Sequence, residues 1–229
     1  MTKFGIILLS VLMLSNFAFS QVLTSNKNYQ NGKNQVVYCK KGYSVNFFSN
    51  GKVKSATIFA NRNYNNGRKQ IVYCKDETRV TFYQNGYVQS ATIFANRNYN
   101  NGKNQIVYCK DKTQVTFYLD GNVQNAIIFA NRNYNNGRKQ IVYCKDKTQV
   151  TFYQNGYVQS ATIFANRNYN NGRNQIVYCK DGTQVVFHPS GNVKSAIVHG
   201  DRSYKNGANQ TVRVKSGTRV NFADNGNVI

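Results

Sequence analysis

Acidic residues and histidines are scarce in this sequence: 8 Asp and Glu stand against 30 Lys and Arg, and only His188 and His199 occur. General acid–base chemistry needs carboxylates placed across a cleft. The acids here do not suggest one, since Asp76, Asp111, Asp146 and Asp181 recur at a single turn position beside a lysine. The two histidines stand where aromatic residues stand elsewhere, and no His/Cys cluster has zinc spacing. A Cys–His nucleophile would need an exposed, activated Cys179, in a column that reads as buried. The chain therefore reads as non-enzymatic, with no cofactor and no metal site. After residue 20 there is no second long apolar run, so no transmembrane segment is expected. Tryptophan is absent and Pro189 is the only proline, yet β-branched and aromatic residues recur at regular spacing, which excludes a disordered chain.

What is present begins with a leader. Lys3 supplies a positive start, Phe4–Leu14 is apolar apart from Gly5 and Ser10, and Ala18-Phe19-Ser20 sets small residues before Gln21. That order of features is a secretory signal peptide over residues 1–20, with a mature chain from Gln21 that is exported: periplasmic, cell-surface or secreted. Cys39 is the first cysteine, so no lipid anchor is indicated at the cleavage point.

The remainder is repeat. Cys39, Cys74, Cys109, Cys144 and Cys179 are spaced by 35 residues, and Val214 takes the sixth place. Columns of Phe (Phe47 to Phe222), Val (Val45 to Val220) and Gly (Gly32 to Gly207) keep the same period. Residues 21–229 fall one short of six full periods, so they form a single repeat domain. Within a repeat, NQIVYCK (104–110), TQVTFYL (113–119) and NVQNAIIFA (122–130) read as strands, with a short fourth around RNY. Asn-Gly in FYQNGYV (82–88) signals a two-residue type I′ hairpin, and a second Asn-Gly in NYNNGRKQIV signals another turn.

The degenerate sixth repeat shows which side is buried. Thr211 and Arg213 replace Ile176 and Tyr178, while Val212 and Val214 keep the Val177/Cys179 parity apolar. Alternation along a strand then turns Val and Cys inward, and with them Val80, Phe82, Ala91 and Ile93. The cysteines are expected to be small buried hydrophobes, reduced and without a metal.

Charge bears on geometry. If each repeat were a single solenoid coil, equivalent cations would lie about 4.8 Å apart and repel by about 0.9 kcal/mol even in water. In side-by-side four-stranded meanders the spacing grows to roughly 19 Å, beyond the ~8 Å screening length. The wide arrangement is the expected one.

FYQNGYVQSATI (82–93) and FYLDGNVQNAII (117–128), each followed by a YNNG turn, resemble the Y-x-x-N-G-x-L pattern of bacterial MORN-variant tandem repeat proteins. The likeness covers residues 26–229 as a repeat style, with a longer period and fewer glycines. It implies antiparallel β-hairpins in series and a binding or scaffolding role, with no transferable active site. The fold expected is all-β: an elongated antiparallel hairpin or meander array, MORN-like or solenoidal. The alternative is a closed six-bladed propeller, its last strand split between the NVI C-terminus and QVLTS at Gln21.

For function, the basic columns are the main material. Lys27, Arg62, Arg97, Arg132, Arg167 and Arg202 form one, and Lys40, Lys75, Lys110, Lys145 and Lys180 another, which Lys215 continues. Lys33, Arg68, Lys103, Arg138 and Arg173 form a partial third. Tyr73, Tyr108, Tyr143 and Tyr178 interleave aromatic faces. Arginine takes phosphate, sulfate or carboxylate bidentately. The expected partner is a polyanionic polymer (extracellular DNA, envelope phosphates, sulfated or acidic glycans) or a cell-envelope surface. The alternative is a structural or surface-interaction protein whose net charge of +22 keeps it soluble or docks it. No oligomeric state follows from the sequence.

Overall fold

The structure, a computed structural model, describes residues 18–102 and 105–229. Residues 1–17 of the expected 1–20 leader, and Lys103 of the third basic column, lie outside the described residues. Every described element is a strand, as the β-branched and aromatic runs require.

An N-terminal strand β1 (Ser20–Val22) precedes the repeats. The first repeat comprises β2 (Lys27–Gln30), β3 (Val36–Cys39), β4 (Ser44–Phe47) and β5 (Val53–Thr57). The second comprises β6 (Arg62–Asn65), β7 (Ile71–Cys74), β8 (Arg79–Phe82) and β9 (Val88–Thr92). The third runs through β10 (Arg97–Asn100), β11 (Ile106–Cys109), β12 (Gln114–Phe117) and β13 (Val123–Ile127). The fourth follows with β14 (Arg132–Asn135), β15 (Ile141–Cys144), β16 (Gln149–Phe152) and β17 (Val158–Thr162). The fifth has β18 (Arg167–Asn170), β19 (Ile176–Cys179), β20 (Gln184–Phe187) and β21 (Val193–Ile197). The sixth has β22 (Arg202–Lys205), β23 (Thr211–Val214) and β24 (Arg219–Asn221).

The four strands of a repeat do not share one sheet, which corrects the side-by-side meander. The last two strands of each of the first five repeats, with β1 and β24 at the ends, form a 12-stranded antiparallel sheet ordered β1-β4-β5-β8-β9-β12-β13-β16-β17-β20-β21-β24. The first two of every repeat pair with each other and with no sheet strand beyond a single bridge, giving six two-stranded ribbons such as β6-β7. Repeats therefore advance by two sheet strands, roughly 10 Å, about half the expected spacing. At that distance two bare cations repel by only about 0.4 kcal/mol in water. The sheet is open, with edges at β1 and β24, so the two halves of the split strand lie at opposite ends. The open array is the form found.

Ribbons and sheet enclose one core. Tyr64, Val72 and Cys74 from a ribbon meet Val80, Phe82, Val88, Ala91 and Ile93 from the sheet, all buried. Val72, Cys74, Val80, Phe82, Ala91 and Ile93 are residues that alternation assigned inward, Tyr64 and Val88 join them, and each large side chain contributes roughly 1.5–3 kcal/mol of burial. Tyr64 stands edge-on to Phe82 with ring centroids 5.2 Å apart, a contact repeated by Tyr99–Phe117 and Tyr134–Phe152. All five cysteines are buried and free.

Each of the first five ribbons is tied to the sheet at both ends. At one end Cys74 bridges to Ile93. At the other, the Asn66 amide donates to the Gly121 carbonyl (3.0 Å), between β12 and β13, while its oxygen accepts the Arg68 and Gln70 N–H groups. There the backbones touch: a Cβ on Gly67 would stand 2.3 Å from the Leu119 carbonyl oxygen. That close approach, more than any left-handed φ, is why glycine recurs in the YNNG turn.

The FYQNGYV turn also differs from the expected type I′. Tyr83 N–H donates to Tyr87 O (2.9 Å) and Gly86 N–H to Tyr83 O (2.8 Å), and Gly86 has φ +86° while Asn85 does not enter the left-handed region. This is a three-residue loop closing on a G1 bulge, accompanied by the register shift at Thr81/Phe82.

Candidate functional site: an arginine–tyrosine ladder on the ribbon layer

Neighbouring ribbons are not joined by backbone pairing, so side chains fill the gaps between them. The Tyr73 N–H, on the edge of β7 away from β6, donates to the Tyr99 hydroxyl oxygen of the next ribbon (3.4 Å). Tyr108 and Tyr143 do the same to Tyr134 and Tyr169, each at 3.3 Å. The Asn100 N–H donates to the Gln70 side-chain oxygen across the same gap (3.2 Å).

The arginine column rises through these gaps. The register sets Arg62 opposite Cys74 and Arg97 opposite Cys109, on the core-facing side of each ribbon. An arginine column on this side shares the parity of the buried Val and Cys residues. Its position is the ribbon end, where a long side chain leaves the core through the gap. Each guanidinium then lies flat on the outward tyrosine of the preceding ribbon. Arg97 stands 3.7 Å from the Tyr73 ring centre, Arg132 and Arg167 stand 3.7 Å from Tyr108 and Tyr143, and Arg202 stands 3.8 Å from Tyr178. The predicted arginine and tyrosine columns are thus one composite column.

Sequence reasoning missed Tyr38 and a column of phenylalanines. Tyr38 carries Arg62 at 3.6 Å, and Phe94 meets Tyr73 edge-on at 5.7 Å, as Phe59, Phe129 and Phe164 meet their own tyrosines. The signal was available in the recurring IFANRNY string, which sets this Phe three residues before the Arg.

The Nε atoms of Arg62, Arg97, Arg132, Arg167 and Arg202 are buried without a hydrogen-bond partner. Stacking on an aromatic face partly offsets that desolvation. Arg62, Arg97, Arg132 and Arg167 form no ion pair with a described residue. The ion pairs among described residues are Lys40–Glu77 and Lys75–Asp76 (3.2 Å). The Glu77 hydrogen bond holds the Lys40 ammonium above its ordinary range.

The lysine column joins the same edge. Lys75 lies one residue past Cys74, the partner of Arg62, so Arg62, Tyr73 and Lys75 share one ribbon end, and Lys110, Lys145 and Lys180 follow in later repeats. Lys27, opposite Cys39, is exposed and has no preceding ribbon to stack on. The partial third column sits at the opposite ribbon end, where the Arg68 Nε–H donates to Asn122. No group of three or more His, Cys, Asp or Glu residues forms a metal site among the described residues. His188 is occupied with the Phe222 carbonyl oxygen at 2.9 Å. No described helix is long and apolar enough to cross a membrane.

An open β sheet backed by repeated ribbons and edged with stacked cations defines an all-β tandem-repeat protein. Residues 12–227 match the family model of a 10-bladed beta propeller domain, and the chain belongs to that family. In this member the repeats form an open array with two sheet edges. The tandem hairpins that the MORN-variant resemblance implied are present. No curated protein matches the chain.

Proposed function

We propose that this is an exported, non-enzymatic repeat protein that binds polyanions along the arginine–tyrosine edge of its ribbon layer. One observation carries the reading: Arg62, Arg97, Arg132 and Arg167 are each held flat on a tyrosine, without an acidic partner, beside the lysine column. A stacked guanidinium is pre-oriented, so less side-chain freedom is lost when it takes an oxyanion. Repetition at roughly 10 Å favours a long polymer over a single small anion, because later contacts form at high effective concentration. The MORN-variant likeness of the Asn-Gly hairpins supports a binding or scaffolding role, and the leader sequence supports export. Extracellular DNA, envelope phosphates and sulfated or acidic glycans all carry the required chemistry.

A second reading has its own observation. Ile71, Ile106, Ile141 and Ile176, on the outward parity of the ribbons, are 45–47 % exposed. A regular apolar row suits a surface-interaction protein whose charge serves solubility or envelope docking. The test is retention on heparin and duplex DNA resins at about 150 mM salt, beside a size-matched protein of similar charge. Stronger retention than the control is expected on at least one resin. Equal retention leaves the surface-interaction reading in place.

A further inference from the structure

The contact between the Asn-Gly turn of a ribbon and the hairpin turn of the sheet is made five times within the chain. Asn31, Asn66, Asn101, Asn136 and Asn171 donate to the carbonyls of Gly86, Gly121, Gly156, Gly191 and Gly226 at 2.9–3.0 Å. Both halves of a sixth contact exist, at opposite ends of the array. A Cβ on Gly207, next to Asn206, would meet only the Asn227 side chain, at 3.9 Å, and one on Gly51 would meet nothing within 4 Å. The other seam groups are also there without their counterparts. Gln210 stands where Gln70 accepts an N–H from the following ribbon, and Tyr29 stands where Tyr99 receives one from the preceding ribbon.

We propose that the two ends are halves of one repeat seam, and that copies of the mature chain join head to tail through it. The occupant of the C-terminal face is the N-terminal ribbon of a second copy, with its Gly51 turn against Gly207. The split strand agrees. Val228 pairs with Phe222 as Val193 pairs with Phe187. The 35-residue period assigns Val228 and Ile229 the places that Ala18 and Phe19 hold beside β4 of the next copy. Phe19 fills its place by stacking on Phe47 at 4.5 Å. The seam therefore closes only in a chain that begins at Gln21, and to that extent the inference rests on the proposed export.

One feature of the seam opposes closure. Five internal seams set an arginine on a tyrosine, whereas the sixth sets Lys27 against Arg213. Like charges in that place hold association in check until salt or an anionic polymer screens them. The interface is heterologous, so copies build either a ring or an open filament.

Sedimentation of the chain beginning at Gln21 tests this without any polyanion. Association is expected to increase between about 50 and 500 mM salt. Arg213→Tyr should bring it on at about tenfold lower protein concentration, since it replaces a repulsion by a cation–aromatic contact. Gly207→Ala adds a methyl that meets only the Asn227 side chain, at 3.9 Å, in the single chain but stands against backbone in the seam. It should leave the melting temperature unchanged and abolish association, and a chain beginning at Ala18 should stay monomeric. The proposal is overturned if the parent and Arg213→Tyr chains are monomeric under all conditions, or if Gly207→Ala associates as readily as the parent. Association that weakens with salt would overturn the role of the Lys27–Arg213 pair.

Discussion

The two layers of this protein solve the same repeat problem differently. In the 12-stranded sheet, every junction between repeats is backbone pairing: Ser55, Ala56 and Thr57 of β5 align with Thr81, Val80 and Arg79 of β8. In the ribbon layer the junctions are side chains: a tyrosine hydroxyl, a glutamine oxygen and a stacked guanidinium. A backbone junction tolerates almost any outward residue and carries little chemical identity. A side-chain junction fixes residue type, and it leaves an ordered cation at the surface of each gap. The sheet is the scaffold, and the gaps of the other layer are where a binding edge arises.

The largest effect expected to break this comparison is alkaline. Burial pushes the Cys39 thiol from 9.0 up to about 12, and raises Cys74, Cys109 and Cys144 as well. It also raises the Tyr99 and Tyr134 hydroxyls of the ribbon layer. The folded state keeps these protons while the unfolded chain releases them, so stability is intact below pH 9 and falls as pH rises above it. Urea midpoints at pH 7, 9 and 11 check this. A midpoint unchanged at pH 11 would mean that the ribbon–sheet interface is wet.

Next in size is a pair of glycine substitutions. Gly51 and Gly86 have φ +75° and +86°, but a Cβ on Gly86 would lie 2.1 Å from the Lys33 nitrogen, whereas one on Gly51 meets nothing within 4 Å. Turn strain alone gives about 1–2 kcal/mol for Gly51→Val. Gly86→Val adds the displacement of a ribbon turn and should cost about 3–4 kcal/mol. Equal urea midpoints for the two variants would show that the ribbon tips are not held against the sheet.

Tyr99→Phe is a smaller probe, removing the acceptor of the Tyr73 N–H. A loss of about 1–2 kcal/mol is expected. Hydrogen exchange should accelerate at Tyr73 and not at Val115 in the sheet. Unchanged exchange at Tyr73 would show that the hydroxyl does not join the ribbons.

Much of this was legible in the residues. The period, the four strands and the inward parity follow from Cys39, Phe47, Val45 and their copies, because a repeated core must place the same residue at the same depth. What alternation does not encode is which strands share a sheet. Val36–Cys39 and Ser44–Phe47 look alike in pattern, yet one pairs in a ribbon and the other in the sheet. The arginine site was half legible. Its column and its tyrosines were evident, but an arginine facing the core and emerging over its neighbour's ring depends on an interribbon gap that a strand pattern does not reveal. The FYQNGYV loop was misjudged for a related reason: Asn-Gly also fits a G1-bulged loop, and the register shift at Thr81/Phe82 decides between them.

The smallest structural effect per residue carries the greatest functional weight. Replacing Arg62, Arg97, Arg132 and Arg167 by Gln removes four stacked cations, at a cost of about 0.5–1 kcal/mol each. The stability of the array should absorb that loss, as a thermal melt would verify. The decisive measurement is the salt dependence of duplex DNA binding by the parent protein and this quadruple variant. Affinity of the parent should fall steeply with salt, and the variant's slope should be shallower by roughly one unit for each phosphate it no longer neutralises. Equal slopes would contradict the account and remove the stacked arginines from the binding edge.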